Sequence, residues 1–151
     1  MRKLLYLCSL LVICVASSSP AQEKMTIKAL RAAPRLASLY EISFVTSETL
    51  AADAEMRISF PVSYDLSALE IAGSTSINGG LTLTRDAQQV IVKRSGLGTV
   101  VPRGQKVGLQ LGVIKNPATL ATAEPVRIEI LHSQKTTTAK AFASSVEFQS
   151  R

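Results

Sequence analysis

The sequence predicts an all-β protein: an antiparallel β-sandwich of about eight short strands behind a cleaved N-terminal signal helix. Three observations predict it. Apolar residues alternate with polar ones at period two along most of the chain. Turn signals recur at short intervals, from Pro34 and Pro61 through Asn78-Gly79-Gly80 to Pro102-Arg103-Gly104, Asn116-Pro117 and Pro125. No segment holds a helical period of apolar residues. A small closed barrel is the alternative arrangement of such strands.

The first residues read as a leader. Arg2 and Lys3 are basic, Leu4 to Val15 is apolar apart from Ser9, and Ser19-Pro20-Ala21 fits a small-x-small cleavage site. The apolar run of 12 residues is short against the ~20 needed to span hydrocarbon. Cleavage is expected after Ala21, with Ser17 and Ser18 as alternatives. The expected division is therefore 1–21 signal peptide and 22–151 a single domain. The mature chain would be secreted: extracellular, cell-surface associated or periplasmic, with no membrane span.

The strands follow in order. "MTIKAL" aligns Met25, Ile27 and Ala29 on one face. "LYEISFVT" aligns Tyr40, Ile42 and Phe44 against Glu41 and Ser43. "SETLAADAEM" has helix-favouring composition but sits between two strands, so it reads as a loop. "EMRISFP" aligns Met56, Ile58 and Phe60. "LTLTR" and "QVIVKR" face each other across Asp86-Ala87-Gln88, a tight hairpin. "KVGLQLG" aligns Val107, Leu109 and Leu111, "VRIEIL" aligns Val126, Ile128 and Ile130, and "SSVEFQ" offers Val146 and Phe148. One buried face per strand is the mark of antiparallel sheets.

The segment "LQLGVIKNPATLATAEPVRIEIL" interrupts the pattern. Proline removes a donor and forces the residue before it to be extended, so Asn116-Pro117 ends the strand. Thr119 to Glu124 then bridges to the next strand, which Pro125 opens where proline is tolerated. This corner reads as architecture, with Ile114 tucked under the sandwich edge.

Both cysteines, Cys8 and Cys14, lie in the leader and follow large residues, which argues against lipidation. After cleavage no thiol or disulfide remains, so the fold relies on its core. Without Arg2 and Lys3, 15 basic residues face 11 acids, a net of +4. The charges are segregated. Glu48 to Asp86 holds six acids against Arg57 and Arg85. Ala87 to Ala123 holds no acid and carries Lys93, Arg94, Arg103, Lys106 and Lys115.

The marks Phe60-Pro61, Asp65-Leu66-Ser67, Gly104 before "QKVGLQL", and Ile114-Lys115-Asn116-Pro117, in that order, are turn and core features. Between Leu39 and Leu131 the chain resembles the immunoglobulin-like β-sandwich domains of bacterial and archaeal cell-surface and surface-layer-associated proteins. The resemblance implies an immunoglobulin-like antiparallel β-sandwich and an extracellular structural or adhesive role. It brings no catalytic residues.

Enzyme chemistry finds little support. His132 is the one histidine, at a strand end beside Ser133, and no Gly-x-Ser-x-Gly elbow accompanies it. Asp53, Glu55 and Asp65 lack the spacing of a calcium loop. The absence of tryptophan weakens a carbohydrate platform. No cofactor is expected. The expected function is a secreted, non-enzymatic structural or adhesive protein working through edge strands or loops, by a protein partner or self-association. "MTIKAL" and "SSVEFQ" are the expected edges. The alternative is a soluble module for anionic envelope polymers or polysaccharide, resting on Lys93, Arg94, Arg103, Lys106 and Lys115. Nucleic acid is not an expected partner, since stacking aromatics are few.

Overall fold

The computed structural model describes residues 25–121, 124–131 and 139–149. The leader and His132 lie outside them. The described residues form ten strands and no helix: β1 (Thr26–Ala29), β2 (Ala37–Val45), β3 (Glu55–Ser59), β4 (Ile71–Gly73), β5 (Leu81–Asp86), β6 (Gln89–Arg94), β7 (Lys106–Lys115), β8 (Val126–Leu131), β9 (Ala139–Ser144) and β10 (Val146–Phe148). They make two five-stranded sheets, ordered β10-β1-β2-β7-β4 and β5-β6-β3-β8-β9. The protein is a β-sandwich.

The predicted inward faces meet between the sheets. Ile27, Tyr40, Ile42, Met56, Ile58, Val90, Val92, Leu109, Leu111 and Ile128 are all buried in one core. Alternation produces this directly, because successive side chains of a strand point to opposite faces. "SETLAADAEM" is a loop as far as Ala54, with one tight turn closed by the Ala54 N–H on the Ala51 carbonyl, and its last two residues open β3.

Two strands exceed the expected number. β4 is only three residues long, and β9 is the Ala-Lys-Ala-Phe-Ala-Ser segment, with little alternation to reveal it. β9 and β10 are separated by Ser145 alone, yet lie in different sheets. β9 pairs antiparallel with β8, and β10 pairs parallel with β1, Ile27 opposite Val146. One nearly continuous run of chain thus fastens the two sheets together. The Ser144 hydroxyl adds a bond to the Met25 carbonyl at 3.3 Å.

This corrects the expectation that "MTIKAL" is an edge offered to a partner, whereas "SSVEFQ" does supply an edge, β10, the outermost strand of its sheet. β1 lies between β10 and β2, so its ladder is occupied on both sides. β10 is spent on β1 and keeps a free side only three residues long.

β7 holds the irregularity that matters most. Val107, Leu109 and Leu111 face the core, and then Ile114 does, so the strand changes parity. Tyr40 opposes Leu111 while Ser38 opposes Ile114, so one residue on β2, Leu39, lies against two on β7, Gly112 and Val113. This is a β-bulge, in which one extra, unpaired residue turns the later side chains of the strand to the other face. Val113 sits in it at φ 63, a conformation rare for a β-branched side chain.

Candidate functional site

One end of the sandwich is built around Arg94. The residue closes β6 on the same face as Val90 and Val92, so its side chain enters the core and is only 1% exposed. Its Nη1 donates to the carbonyls of Leu50 and Ala51 at 3.2 and 2.5 Å. Its Nη2 donates to those of Asn78 and Thr99 at 3.4 and 2.6 Å. These carbonyls belong to three loops, β2–β3, β4–β5 and β6–β7. Burial pushes the guanidinium below its usual pKa, and the charge of Asp53 opposes that shift. A buried cation is tolerated where hydrogen bonds replace its water.

Further bonds knit the same loops. Leu50 and Val101 exchange backbone bonds at 2.9 Å, and the Gly96 N–H reaches the Ala52 carbonyl at 2.9 Å. Thr46 Oγ1 donates to the Pro102 carbonyl at 2.7 Å and accepts from the Gln105 N–H at 3.0 Å. The Asn78 side chain accepts from the Thr99 N–H at 2.9 Å. Gly98 lies so close that a Cβ there would strike the Asn78 carbonyl oxygen and Arg94 Nη2.

On this rigid base Leu97 is 89% exposed and Val100 is 56% exposed. Beside them runs a cleft of about 580 Å³ whose lining includes Ile77, Thr99, Val100, Pro102 and Lys106. Isolated exposed apolar residues are ordinary on a surface. Here two of them sit close together on one loop whose backbone is bound at both ends.

The five predicted basic residues do not form a single patch. Arg94 is buried, with Nη1 and Nη2 engaged by carbonyls and Nε without a partner among the described residues, so it leaves the expected surface. The alternation of "QVIVKR" carries the signal, since Arg94 shares the parity of Val90 and Val92. Lys115 ends β7, roughly 30 Å along the strand from Lys106, and pairs with Asp65 at 3.0 Å. Lys93, Arg103 and Lys106 remain exposed. Lys93 stands opposite Glu55 in the ladder, so basic and acidic stretches of the sequence meet within one molecule.

The other end is locked by Asn116. Its Oδ1 accepts from the Tyr40 hydroxyl at 2.5 Å, and its Nδ2 donates to the carbonyls of Arg31 and Ala33 at 2.7 and 2.9 Å. Tyr40, Phe60 and Tyr64 pack edge to face with centroids 5.5–6.0 Å apart. Ser67, through its hydroxyl and its N–H, and then Lys115 hold the Asp65 carboxyl well below the usual carboxylate range. Among the described residues no group of three or more His, Cys, Asp or Glu is placed to hold a metal ion.

No protein-family model and no curated protein matches the chain. Solved structures overlap it in part. The cohesin module of a family 33 glycoside hydrolase from Clostridium perfringens aligns over 84% of this chain and 98% of that one, at 10% identity and TM-score 0.46. A Nocardia farcinica protein with an immunoglobulin-like fold aligns over 79% and 81%, at 18% identity and TM-score 0.42. A GH20 exo-β-N-acetylglucosaminidase from Vibrio harveyi aligns over 85% of this chain at 11% identity and TM-score 0.44, and the chain spans only 18% of that enzyme's length. All three scores lie below 0.5, so the sandwich is assigned from its own two sheets.

Proposed function

We propose that the protein is a secreted, non-enzymatic structural or adhesive module of the cell surface, an immunoglobulin-like sandwich that grips a protein partner with its Arg94-braced loops. Residues 1–21 are the proposed leader, and 22–151 the proposed mature domain. The observation that carries this reading is Leu97, almost wholly exposed on a loop held in place by the buried Arg94 side chain. Loops on a rigid scaffold are where binding residues concentrate. A preorganised loop also loses less entropy on binding than a floppy one.

The test is envelope fractionation of the native cells with the Leu97→Ser, Val100→Ser double variant. Wild type should stay with the envelope, and the variant should be released with its melting temperature unchanged. Equal retention of both proteins would remove the loops from the proposal.

A second reading has its own observation: Lys93, Arg103 and Lys106 stay exposed in or beside these loops. They favour an anionic envelope polymer, bound electrostatically. A high-salt wash separates the two readings, because screening weakens contacts between exposed charges. Release of wild type by salt alone, abolished binding in the triple charge reversal, and full retention of Leu97→Ser, Val100→Ser would favour the polymer.

A further inference from the structure

We infer that β5 is a strand-addition edge and that its occupant is a second copy of this chain, β5 lying antiparallel to its twin about a two-fold axis at Leu83. The β5–β6 hairpin decides which backbone groups face outward. Asp86 and Gln89 are partners across the two-residue turn Ala87-Gln88, so they form the hydrogen-bonded pair that closes it. Pairs then alternate along an antiparallel ladder. The backbone N–H and C=O of Thr82, Thr84 and Asp86 face β6, and those of Leu81, Leu83 and Arg85 face away from it. β5 is the outermost strand of its sheet. Among the described residues no backbone group pairs with that outward row.

Natural edge strands are protected by shortness, lysine, proline or a bulge. β4 and β10 are three residues long, and Ser74 folds over beside β4 to bond the Gly108 carbonyl at 2.5 Å. β5 has six residues, pairs with β6 without a register shift, and contains neither lysine nor proline. Its one cation, Arg85, is drawn back onto the Leu66 carbonyl at 2.5 Å. Leu81 and Leu83 are only partly buried against the core, so apolar surface remains at this edge.

The sequence of β5 is self-complementary in the two-fold register. Leu83 meets Leu83 of the second copy, and Thr82 meets Thr84. Threonine pairs and aliphatic pairs directly opposite each other stabilise antiparallel sheets. The two copies would join their outer sheets into one of ten strands. An isologous contact of this kind closes on itself, leaving no further edge of the same kind open.

The contact is argued from β5 and not from Leu97 or Val100, so either proposal stands or falls alone. The experiment is sedimentation of the protein as isolated from cells, with two variants of exposed residues. In Thr82→Lys, Thr84→Lys and in Thr82→Glu, Thr84→Glu, like charges face each other across the axis. Wild type should sediment as a dimer, and each variant alone as a monomer with an unchanged melting temperature. Mixing the lysine and glutamate variants should restore a dimer, which a misfolded variant would not do. Leu97→Ser should leave the wild-type dimer intact. A monomeric wild type, or a dimer indifferent to both variants, would overturn the inference.

Discussion

The Tyr40 hydroxyl donates to Asn116 Oδ1 at 2.5 Å, joining the middle of β2 to the corner after β7 across 76 positions of sequence. Asn116 reaches this place because the bulge at Val113 shifts the parity of β7. Without the extra residue, the residues after it would point to the opposite face. The same side chain holds the carbonyls of Arg31 and Ala33, so one amide closes the β1–β2 and β7–β8 connections together.

Removing either partner leaves a buried group unpaired, which costs about 1–3 kcal/mol. Tyr40→Phe should fall in that range by urea denaturation. Asn116→Ala should cost more, because it also removes the bonds to the Arg31 and Ala33 carbonyls, the latter keeping only the Leu36 N–H. A double-mutant cycle should show coupling between the two sites. An Asn116→Ala protein as stable as wild type would show that the amide locks nothing.

The buried tyrosines set an alkaline limit. Desolvation raises the pKa of Tyr64 from 10.0 to about 12. Desolvation and then the neighbouring Tyr64 charge raise that of Tyr40 further. A folded pKa above the unfolded one means that the folded state holds its proton longer. The stabilisation is complete below pH 10 and is lost as pH rises from there through the folded values. The loss should approach roughly 1 kcal/mol per tyrosine for each pH unit in that window. From residue 22 onward Tyr40 and Tyr64 are the only tyrosines. Absorbance of tyrosinate should therefore appear together with unfolding rather than before it. Full ionisation at about pH 10.5 in a still-folded protein would contradict the burial.

Arg94→Met should destabilise by about 3 kcal/mol or more, since four carbonyls each lose a hydrogen bond at once, those of Leu50 and Ala51 keeping one backbone donor each. Arg94→Lys should not rescue it, because a point-like ammonium does not reproduce the planar fork. Hydrogen exchange would localise the damage. Residues 46–54, 76–80 and 95–101 should lose protection, and β8 should not. Uniform loss across both sheets would mean that Arg94 supports the whole core and not the loops in particular.

Val113→Asn should be neutral or stabilising by up to about 1 kcal/mol, because asparagine tolerates positive φ whereas a β-branched residue is strained there. Ala87, at φ 48 in the β5–β6 turn, should respond to glycine in the same direction. Thermal melting of both variants is the check. Marked destabilisation by Val113→Asn would show that the valine side chain is needed at the outer surface of β7.

Most strands could be read from the chain because each buries one face, and that leaves a period of two in the residues. β3, β6 and β8 are examples, with Met56, Val92 and Ile128 all where alternation places them. β4 was not legible, since three residues carry no period. Arg94 was legible as an inward position, yet its charge argues for the surface, and the two signals conflict within one residue. Leu97 offered only a leucine between two glycines, because an exposed loop residue leaves no periodic trace.

The sequence by itself determined the class of the protein, the positions of most strands and the break at Asn116-Pro117. These depend on local facts: alternation, ring closure at proline, and turn chemistry. Only the tertiary structure decided which strands are edges, which cations are buried and which loops are braced. Those properties depend on partners far away in the chain. β1 ceases to be an edge because β10 returns to it, and Arg94 ceases to be a surface charge because carbonyls of three loops close around it. No window of sequence contains both halves of such a pairing, so neither could be read before the chain was folded.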